Sequence, residues 1–240
     1  MTVKPYNTRA SKKEEVREMF DSIAPRYDLL NHTLSLNVDR WWRRRVVVEV
    51  RRGAPAQILD MATGTGDLAI ELARHIPGAH VTGVDLSDRM LAEARRKVAA
   101  QGLAERIELH QGDAEHPTAE ACYDAATVAF GVRNFGDLHA GLCGLARAIK
   151  PGGKVVILEF SRPRSRLFRA LFGFYFCRIL PWVGGMVSHD RRAYDYLPAS
   201  VGEFPSPEAF LAMMGRAGFA DCRARSLSGG IAYIYIGVRR

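Results

Sequence analysis

Residues 58–73, ILDMATGTGDLAIELA, decide the fold class. An apolar run ends in Asp60, two glycines follow at Gly64 and Gly66, and an amphipathic pattern begins at Asp67. A buried strand, a glycine turn and a helix form the first unit of an open α/β sheet, which binds ligands at the carboxyl ends of its strands. The stretch therefore predicts a cofactor site at this turn, and on its own it leaves the cofactor open.

Strand-like and helix-like segments alternate through residues 56–160, which predicts a parallel sheet with helices on both faces. We expect a helical insertion over 161–205, where the alternation stops. Residues 206–240 then predict a helix capped by Ser206 and a β-hairpin around Gly229 and Gly230. The chain is thus predicted to be one α/β domain with a mainly parallel seven-stranded sheet. Its parts are a cofactor-binding core at 56–160, a substrate cover at 161–205 and a C-terminal helix and hairpin.

Residues 1–53 predict an N-terminal tail and a helical lid. Residues 1–12 have the composition of a flexible basic tail, and Ser11 is only a loose helix cap because it lies four residues before Glu15. The first helix should end at Pro25. A second helix is expected over 33–52, with His32 in the loop before it.

Bulk composition narrows the class of protein. With 48% hydrophobic and 25% charged residues in 240, the chain is typical of a globular protein. A net charge of +8 favours an anionic partner such as nucleic acid, membrane lipid or a phosphorylated substrate, or simply keeps the protein soluble. The four cysteines form no CxxC pair, so no metal site is predicted and a reducing cytoplasm is expected. We find neither a secretory signal nor a good transmembrane span, since Pro181 and two arginines interrupt the most apolar stretch.

Acidic residues around the turn bear on the cofactor. Asp85 ends the second strand about 20 residues after Gly66, where an acid accepts hydrogen bonds from both ribose hydroxyls of NAD or of S-adenosylmethionine. Ala69 stands at the third glycine position of the dinucleotide fingerprint, which tolerates alanine, so this position does not decide. Asp60 and Asp67 oppose a pyrophosphate at the helix N-terminus and favour a cationic cofactor. Asp67 fits a helix N-cap equally well.

The ordered segments LDMATGTGD, GVD, QGDAEHP and IKPGGKVVILEF resemble the motifs of class I S-adenosylmethionine-dependent methyltransferases. The resemblance implies a Rossmann-like fold, with Asp85 on the ribose and Asp113 and Ala114 framing the adenine. The chain departs from the pattern at Ala62, where many members have glycine. The predicted cofactor-binding residues are Asp60, Gly64, Thr65, Gly66, Asp85, Leu86, Asp113, Ala114 and Ala129.

Longer segments resemble a narrower family, the ubiquinone/menaquinone biosynthesis C-methyltransferases. They are FDSIAPRYDLLNHTLSLNVDRWWRR, FGVRN, RAIKPGGKVVILEFS and HDRRAYDYLPASVGEFPSPEAFLAMMGRAGF. The resemblance covers nearly the whole chain after the tail. It implies methylation of a ring carbon of a polyprenylated quinol, either demethylmenaquinol or the methoxy-benzoquinol of ubiquinone biosynthesis. Departures occur at Asp39, usually histidine, and at Ala129, where some members have a serine that contacts the cofactor.

An aromatic carbon is a weak nucleophile until a neighbouring hydroxyl loses its proton, so such an enzyme must align the reactants, exclude water and assist that loss. The resemblance implies that Arg133 stabilises the phenolate or holds the water that takes the proton, with Asn134 orienting it. Tyr27, in the lid, is expected to contact the substrate hydroxyl. The alternatives are a surface salt bridge for Arg133 and a packing role for Tyr27. His189 and Asp190 are either a general base or the start of a helix.

Residues 164–187 interleave arginines with apolar side chains. This pattern fits a cover over a tunnel for the prenyl tail, a lid helix or dimer partner, or a helix lying transiently on the inner face of the cell membrane. The sequence leaves undecided whether the protein forms a homodimer. Competing classes are other small-molecule methyltransferases and nucleic-acid methyltransferases. The latter are disfavoured because AFGVRN stands where amino-methylating enzymes carry Asn-Pro-Pro-aromatic, and no RNA-binding domain is appended.

Overall fold

The computed structural model describes residues 3–35, 37–117, 119–162 and 191–240, which include a seven-stranded sheet. Its strands are β1 Gln57–Met61, β2 His80–Asp85, β3 Ile107–Gln111, β4 Tyr123–Ala129, β5 Ile149–Phe160, β6 Phe219–Leu227 and β7 Ala232–Arg239. The order is β3-β2-β1-β4-β5-β7-β6. Strands β1 to β5 are parallel, whereas β7 is antiparallel to both its neighbours, β5 and β6. The predicted parallel sheet with a C-terminal hairpin is confirmed.

Helices cover both faces of the sheet. They are α1 Lys12–Ile23, α2 Tyr27–Leu34, α3 Val38–Arg51, α4 Asp67–His75, α5 Asp88–Ala100, α6 Leu138–Ala148, α7 Arg191–Glu203 and α8 Pro207–Arg216. Successive strand residues point to opposite faces, so Ile58 and Leu59 belong to different hydrophobic clusters. The cluster around Ile58 includes α3 and α4, and the cluster around Leu59 includes α6 and α8. Because both faces are buried, the parallel strands read as apolar runs in the sequence.

The predicted flexible tail is wrong for its described part. Glu15 of α1 is fully buried, and its carboxylate accepts hydrogen bonds from the backbone amides of Tyr6 and Thr8, both at 2.7 Å. A buried carboxylate requires donors, and the tail supplies them by folding back over α1. The cap before α1 is also stronger than expected, because Ser11 forms a reciprocal capping box with Glu14.

The second predicted helix is divided in two. Helix α2 ends at Leu34 and α3 begins only at Val38, after Asn37 adopts a left-handed conformation with φ of 60°. Asparagine tolerates that conformation better than most residues, so it separates the helices. His32 therefore lies within α2, and the prediction that it belongs to a loop is wrong.

Much of the predicted insertion lies outside the described residues. This holds for the arginine-rich segment 164–187 and for His189 and Asp190, so the roles considered for them stay predictions. Of the predicted insertion, the structure describes helix α7, Arg191–Glu203, which precedes α8. Within the described ranges no helix combines the length and the apolar character that crossing a bilayer requires.

Candidate active site

A pocket lies at the carboxyl ends of β1, β2 and β4, beside β1, where the sheet order reverses. It encloses about 640 Å³ including its open mouth, a size suited to a small molecule. Helix α1 covers it. The predicted site residues that line it are Tyr27, Gly64, Asp85, Leu86, Ala114, Ala129 and Asn134. The other five, Asp60, Thr65, Gly66, Asp113 and Arg133, lie around this pocket without lining it.

The glycine turn after β1 bends sharply towards the pocket. Gly64 and Gly66 have φ of 57° and 80°, in the left-handed region that glycine enters without steric cost. Ala62 has φ of 55° in the same turn. An L-residue with a Cβ is disfavoured there by about 1–2 kcal/mol, which explains a preference for glycine at this position.

Asp85 is the acid that faces the pocket. Its carboxylate accepts hydrogen bonds from the amides of Gly64, at 2.8 Å, and Ser87, at 2.9 Å, which fix its orientation. Burial raises the pKa of Asp85, so its charged form gains from further hydrogen-bond donors. A pair of ribose hydroxyls supplies such donors, and the site therefore fits a nucleoside.

Asp60 lies beneath the turn. It is 1% exposed, and its carboxylate accepts hydrogen bonds from the hydroxyls of Thr63, at 2.7 Å, and Thr127, at 2.6 Å. Burial raises the pKa of Asp60 to about 6, against the opposing effect of those two hydroxyls. Asp60 thus ties the turn to β4.

Asp67 is found in neither of its two predicted positions, at the helix N-cap or in the pocket wall. The N-cap of α4 is Gly66, and Asp67 does not line the pocket. Its carboxylate pairs with Lys97 and lies 3.3 Å from His32 Nε2 and 3.4 Å from Arg43. Burial alone would raise its pKa, but the hydrogen bond from His32 and the charges of Arg43 and Lys97 hold it well below the usual range. Asp67 therefore gives no preference for a cationic cofactor.

Two other predicted cofactor residues bind the lid. The Thr65 hydroxyl donates to Asp28 of α2 at 2.5 Å. Asp113 pairs with Lys13 of α1, whose ammonium also lies 2.9 Å from Glu115. The side chains of Thr65 and Asp113 thus connect the core to the N-terminal helices.

Helix α1 closes the pocket with apolar and polar contacts. Val16 and Phe20 line it, and Asp21 accepts a hydrogen bond from the Ser87 hydroxyl at 2.5 Å. At the other end of α1, Lys12 donates to the carbonyl oxygen of Arg133 at 2.8 Å. The apolar spacing of this helix indicated its buried face but not the pocket that it covers.

Arg133 follows β4 in the 3-10 turn Val132–Asn134. Its Nη1 donates to Glu159 at 2.8 Å, and its guanidinium lies over Phe160, 5.6 Å from the ring centroid. The side chains of Arg133 and Glu159 are 8% and 0% exposed, so the pair is buried and the surface salt bridge considered for Arg133 is wrong. Its Nε is buried and has no hydrogen-bond partner within the described part of the chain.

Asn134 lines the pocket and is oriented from α7. The Tyr196 hydroxyl donates to Asn134 Oδ1 at 3.2 Å, and burial raises the pKa of Tyr196 to about 12, so this phenol keeps its proton. Burial also raises the pKa of Tyr27, which lines the pocket and packs edge-on against Phe20. Tyr27 is thus a neutral hydrogen-bond donor at the pocket wall.

Sequence reasoning missed Glu159 and Tyr196. A lone acid inside the apolar run of β5 was a signal for Glu159, because a buried carboxylate needs a partner. Nothing local distinguished Tyr196 from the other tyrosines.

Comparisons with known proteins place these features in a family. The model of the ubiE/COQ5 methyltransferase family matches residues 8–239. The chain is 49% identical to the ubiquinone/menaquinone biosynthesis C-methyltransferase UbiE of Geobacter sulfurreducens, over 94% of this chain and 89% of that protein. It is 47% identical to the demethylmenaquinone methyltransferase of Deinococcus radiodurans, over 98% and 97% of the two chains.

Solved structures agree on the fold. Human N-acetylserotonin methyltransferase in complex with S-adenosylmethionine matches 93% of this chain and 59% of its own, with a TM-score of 0.64 and 18% identity. At that identity the likeness concerns the fold alone. The family-model match and the long alignments together identify the chain, which belongs to the ubiE/COQ5 methyltransferase family.

Proposed function

We propose that the protein methylates a ring carbon of a polyprenylated quinol with S-adenosylmethionine as methyl donor. The preferred substrate is demethylmenaquinol, which yields menaquinol, and the alternative is the methoxy-benzoquinol of ubiquinone biosynthesis. The names of the relatives support both. The observation that carries the proposal is one pocket that brings the nucleoside-type acid Asp85 together with Asn134 and Tyr27.

The pocket residues fit the cofactor. Asp85 would accept the ribose hydroxyls, Leu86 and Ala114 would frame the adenine, and the backbone at Gly64 and Ala129 would lie against the ligand. Asp60, Thr65, Gly66 and Asp113 would act indirectly, through the turn and the lid. When bound, S-adenosylmethionine supplies an electrophilic methyl group on a sulfonium.

The chain's own residues would prepare the acceptor carbon. Arg133, a buried cation next to the pocket, would stabilise the phenolate that activates the ring or hold the water that takes its proton. Asn134, held by Tyr196, would orient that group. The neutral Tyr27 hydroxyl would donate to a quinol oxygen. Closure by α1 would exclude bulk water.

The proposal extends to organisation and location. We propose a single functional unit with the lid at 1–53, the cofactor core at 56–160, the substrate cover at 161–205 and the C-terminal helix and hairpin at 206–240. We place the protein in the cytoplasm with transient contact to the inner face of the cell membrane. The oligomeric state to test is a homodimer, by measuring the molecular mass of the protein in solution. No nucleic acid is expected as a partner.

Methyl transfer to defined acceptors tests the proposal. The protein is incubated with labelled S-adenosylmethionine and one acceptor, which is reduced demethylmenaquinone, the benzoquinol analogue or RNA. Products are identified by mass spectrometry. We expect a product one methyl heavier from the naphthoquinol. Transfer to the benzoquinol alone would favour the alternative substrate, and transfer to neither quinol would contradict the proposal. Arg133→Lys should lower kcat about 100-fold while leaving the affinity for S-adenosylhomocysteine unchanged.

A further inference from the structure

The exposed large hydrophobic side chains of the described residues are confined to two adjacent helices. Leu29 of α2 is 64% exposed, and Val38, Trp41 and Val48 of α3 are 36%, 42% and 38% exposed. Helix α2 packs on α3 and also carries Tyr27, which lines the pocket. Such a concentration of exposed apolar side chains indicates a binding surface.

Helix α3 divides into a buried and an exposed face. Its buried face includes Trp42, Val46 and Val50, which pack in the core. With 3.6 residues per turn, Trp41 and Val48 lie along the middle of the opposite, exposed face. The arginines of that face are placed on both sides of the apolar residues: Arg45 and Arg52 on one side and Arg40, Arg44 and Arg51 on the other.

This face has a large excess of positive charge. The acids of α3, Asp39 and Glu49, are each 4% exposed and already engaged with Arg43 and Arg52. Arg44 lies 3.8 Å from Glu71. Arg40, Arg45 and Arg51 form no ion pair with any of the residues that the structure describes.

Arg45 contacts the exposed tryptophan of this face. The guanidinium carbon of Arg45 lies 5.0 Å from the ring centroid of Trp41. An exposed tryptophan between unpaired arginines is the arrangement of helices that lie in the interfacial plane of a bilayer, with apolar side chains in the acyl boundary and cations among the headgroups.

We propose that the exposed face of α3 docks on an anionic lipid membrane. We call it the α3 surface; it comprises Val38, Arg40, Trp41, Arg44, Arg45, Val48, Arg51 and Arg52. Its charge complements phosphate headgroups, and its apolar centre gives binding that charge alone would not. The inference rests on the proposed function in one respect, since docking here would bring the lid that carries Tyr27 to the source of a lipid substrate.

Vesicle binding without any substrate tests the α3 surface separately from catalysis. The 240-residue chain is mixed with vesicles of phosphatidylglycerol or of phosphatidylcholine and co-sedimented. We expect strong binding to the first and weak binding to the second. The double change Arg44→Gln and Arg45→Gln should weaken binding to phosphatidylglycerol about 30-fold, because each arginine contributes about 1 kcal/mol near an anionic surface. A matched control, Arg95→Gln with Arg96→Gln on the exposed face of α5, should change it much less.

Trp41 fluorescence gives a second measurement. In a protein with Trp42 and Trp182 changed to phenylalanine, emission from Trp41 should shift to shorter wavelength on phosphatidylglycerol vesicles. If these changes reduce folding, as thermal unfolding would reveal, quenching of the wild-type protein by brominated lipid is compared with that of Trp41→Phe. Equal weakening by the α5 control, or a Trp41 emission unchanged on saturating vesicles, would overturn the proposal. Methyl transfer to a short-tailed, water-soluble quinol should stay normal in the Arg44 and Arg45 variant.

Discussion

Asp85 is the residue through which the cofactor can be tested most directly. Its half-buried carboxylate faces the pocket, and two backbone amides hold it in place. Removing its charge while keeping its shape should weaken binding without disturbing the turn. Asp85→Asn is therefore expected to bind S-adenosylhomocysteine about 10- to 100-fold more weakly in calorimetry, since hydrogen bonds to charged groups contribute about 1.5–3 kcal/mol.

The affinity for the cofactor should depend on pH. On the proposed role, only the carboxylate form would accept hydrogen bonds from both ribose hydroxyls, so cofactor affinity should fall as pH falls through the raised pKa of Asp85. Asp88→Asn, three residues further along and exposed, is the control and should leave the affinity unchanged. Wild-type affinity in Asp85→Asn would rule out the ribose role.

Ala62 gives a test of backbone strain. Its φ of 55° disfavours an L-residue by about 1–2 kcal/mol, and the greater freedom of an unfolded glycine offsets about 0.4–1 kcal/mol. We expect Ala62→Gly to increase the free energy of unfolding by up to about 1.5 kcal/mol in urea titrations. Ala92→Gly, at an exposed position inside α5, should instead lower it by about 1 kcal/mol. Equal losses in both variants would show that Ala62 is not strained.

At the scale of elements, a polar cluster joins the lid helices to the cofactor turn. His32 of α2 lies between two carboxylates, with Nδ1 2.9 Å from Asp39 and Nε2 3.3 Å from Asp67. Both ring nitrogens must carry protons to donate to both acids. Arg43 and Lys97 complete the charge balance. Asp39 is thus an acceptor for this cluster.

His32 should make the stability of the lid depend on pH. The hydrogen bond to Asp67 is the main cause that raises the pKa of His32 above 6.5. Its contribution to folding is therefore fully present below about pH 6.5 and is lost as pH rises through the folded-state pKa. His32→Gln should lower the free energy of unfolding more at about pH 6 than at about pH 9. His110→Gln, on an exposed part of β3, is the control for loss of a histidine outside this cluster. Equal losses in His32→Gln at the two pH values would contradict the proposed role of the imidazole.

Local patterns explain what could be predicted. The strands, α4, α5 and the glycine turn follow from periodicity and turn chemistry within short windows, and the acid after β2 follows from its place at a strand end. The lid contacts do not, because Lys13 meets Asp113 across 100 residues and Tyr196 meets Asn134 across 62. Asp67 was misinterpreted for the same reason, since its cation Lys97 comes from another helix. Only packing brings such partners together.

At the scale of the whole molecule, helix α1 lies over part of the pocket and is held against the core. Helix α1 is fastened at both ends, by Lys12 to the carbonyl of Arg133 and by Asp21 to Ser87. We therefore expect α1 to move when a ligand enters or leaves the pocket. Asp21→Ala removes the hydrogen bond from Ser87, which contributes about 1 kcal/mol to holding α1 in place. Association and dissociation of S-adenosylhomocysteine should therefore each become about fivefold faster in stopped-flow measurements. Arg96→Gln removes an exposed ion pair with Glu93 and should leave both rates as they are, and unchanged rates in Asp21→Ala would show that α1 does not gate the pocket.

The place of β7 inside the sheet has a consequence for biosynthesis. Among the described strands, β6 pairs only with β7, and β7 also covers the edge of β5. A ribosome makes β6 first, so that strand must wait without a partner until β7 has emerged. Until then the edge of β5 stays open to other nascent chains. Premature termination between β6 and β7 should thus yield aggregating polypeptide rather than a smaller folded enzyme.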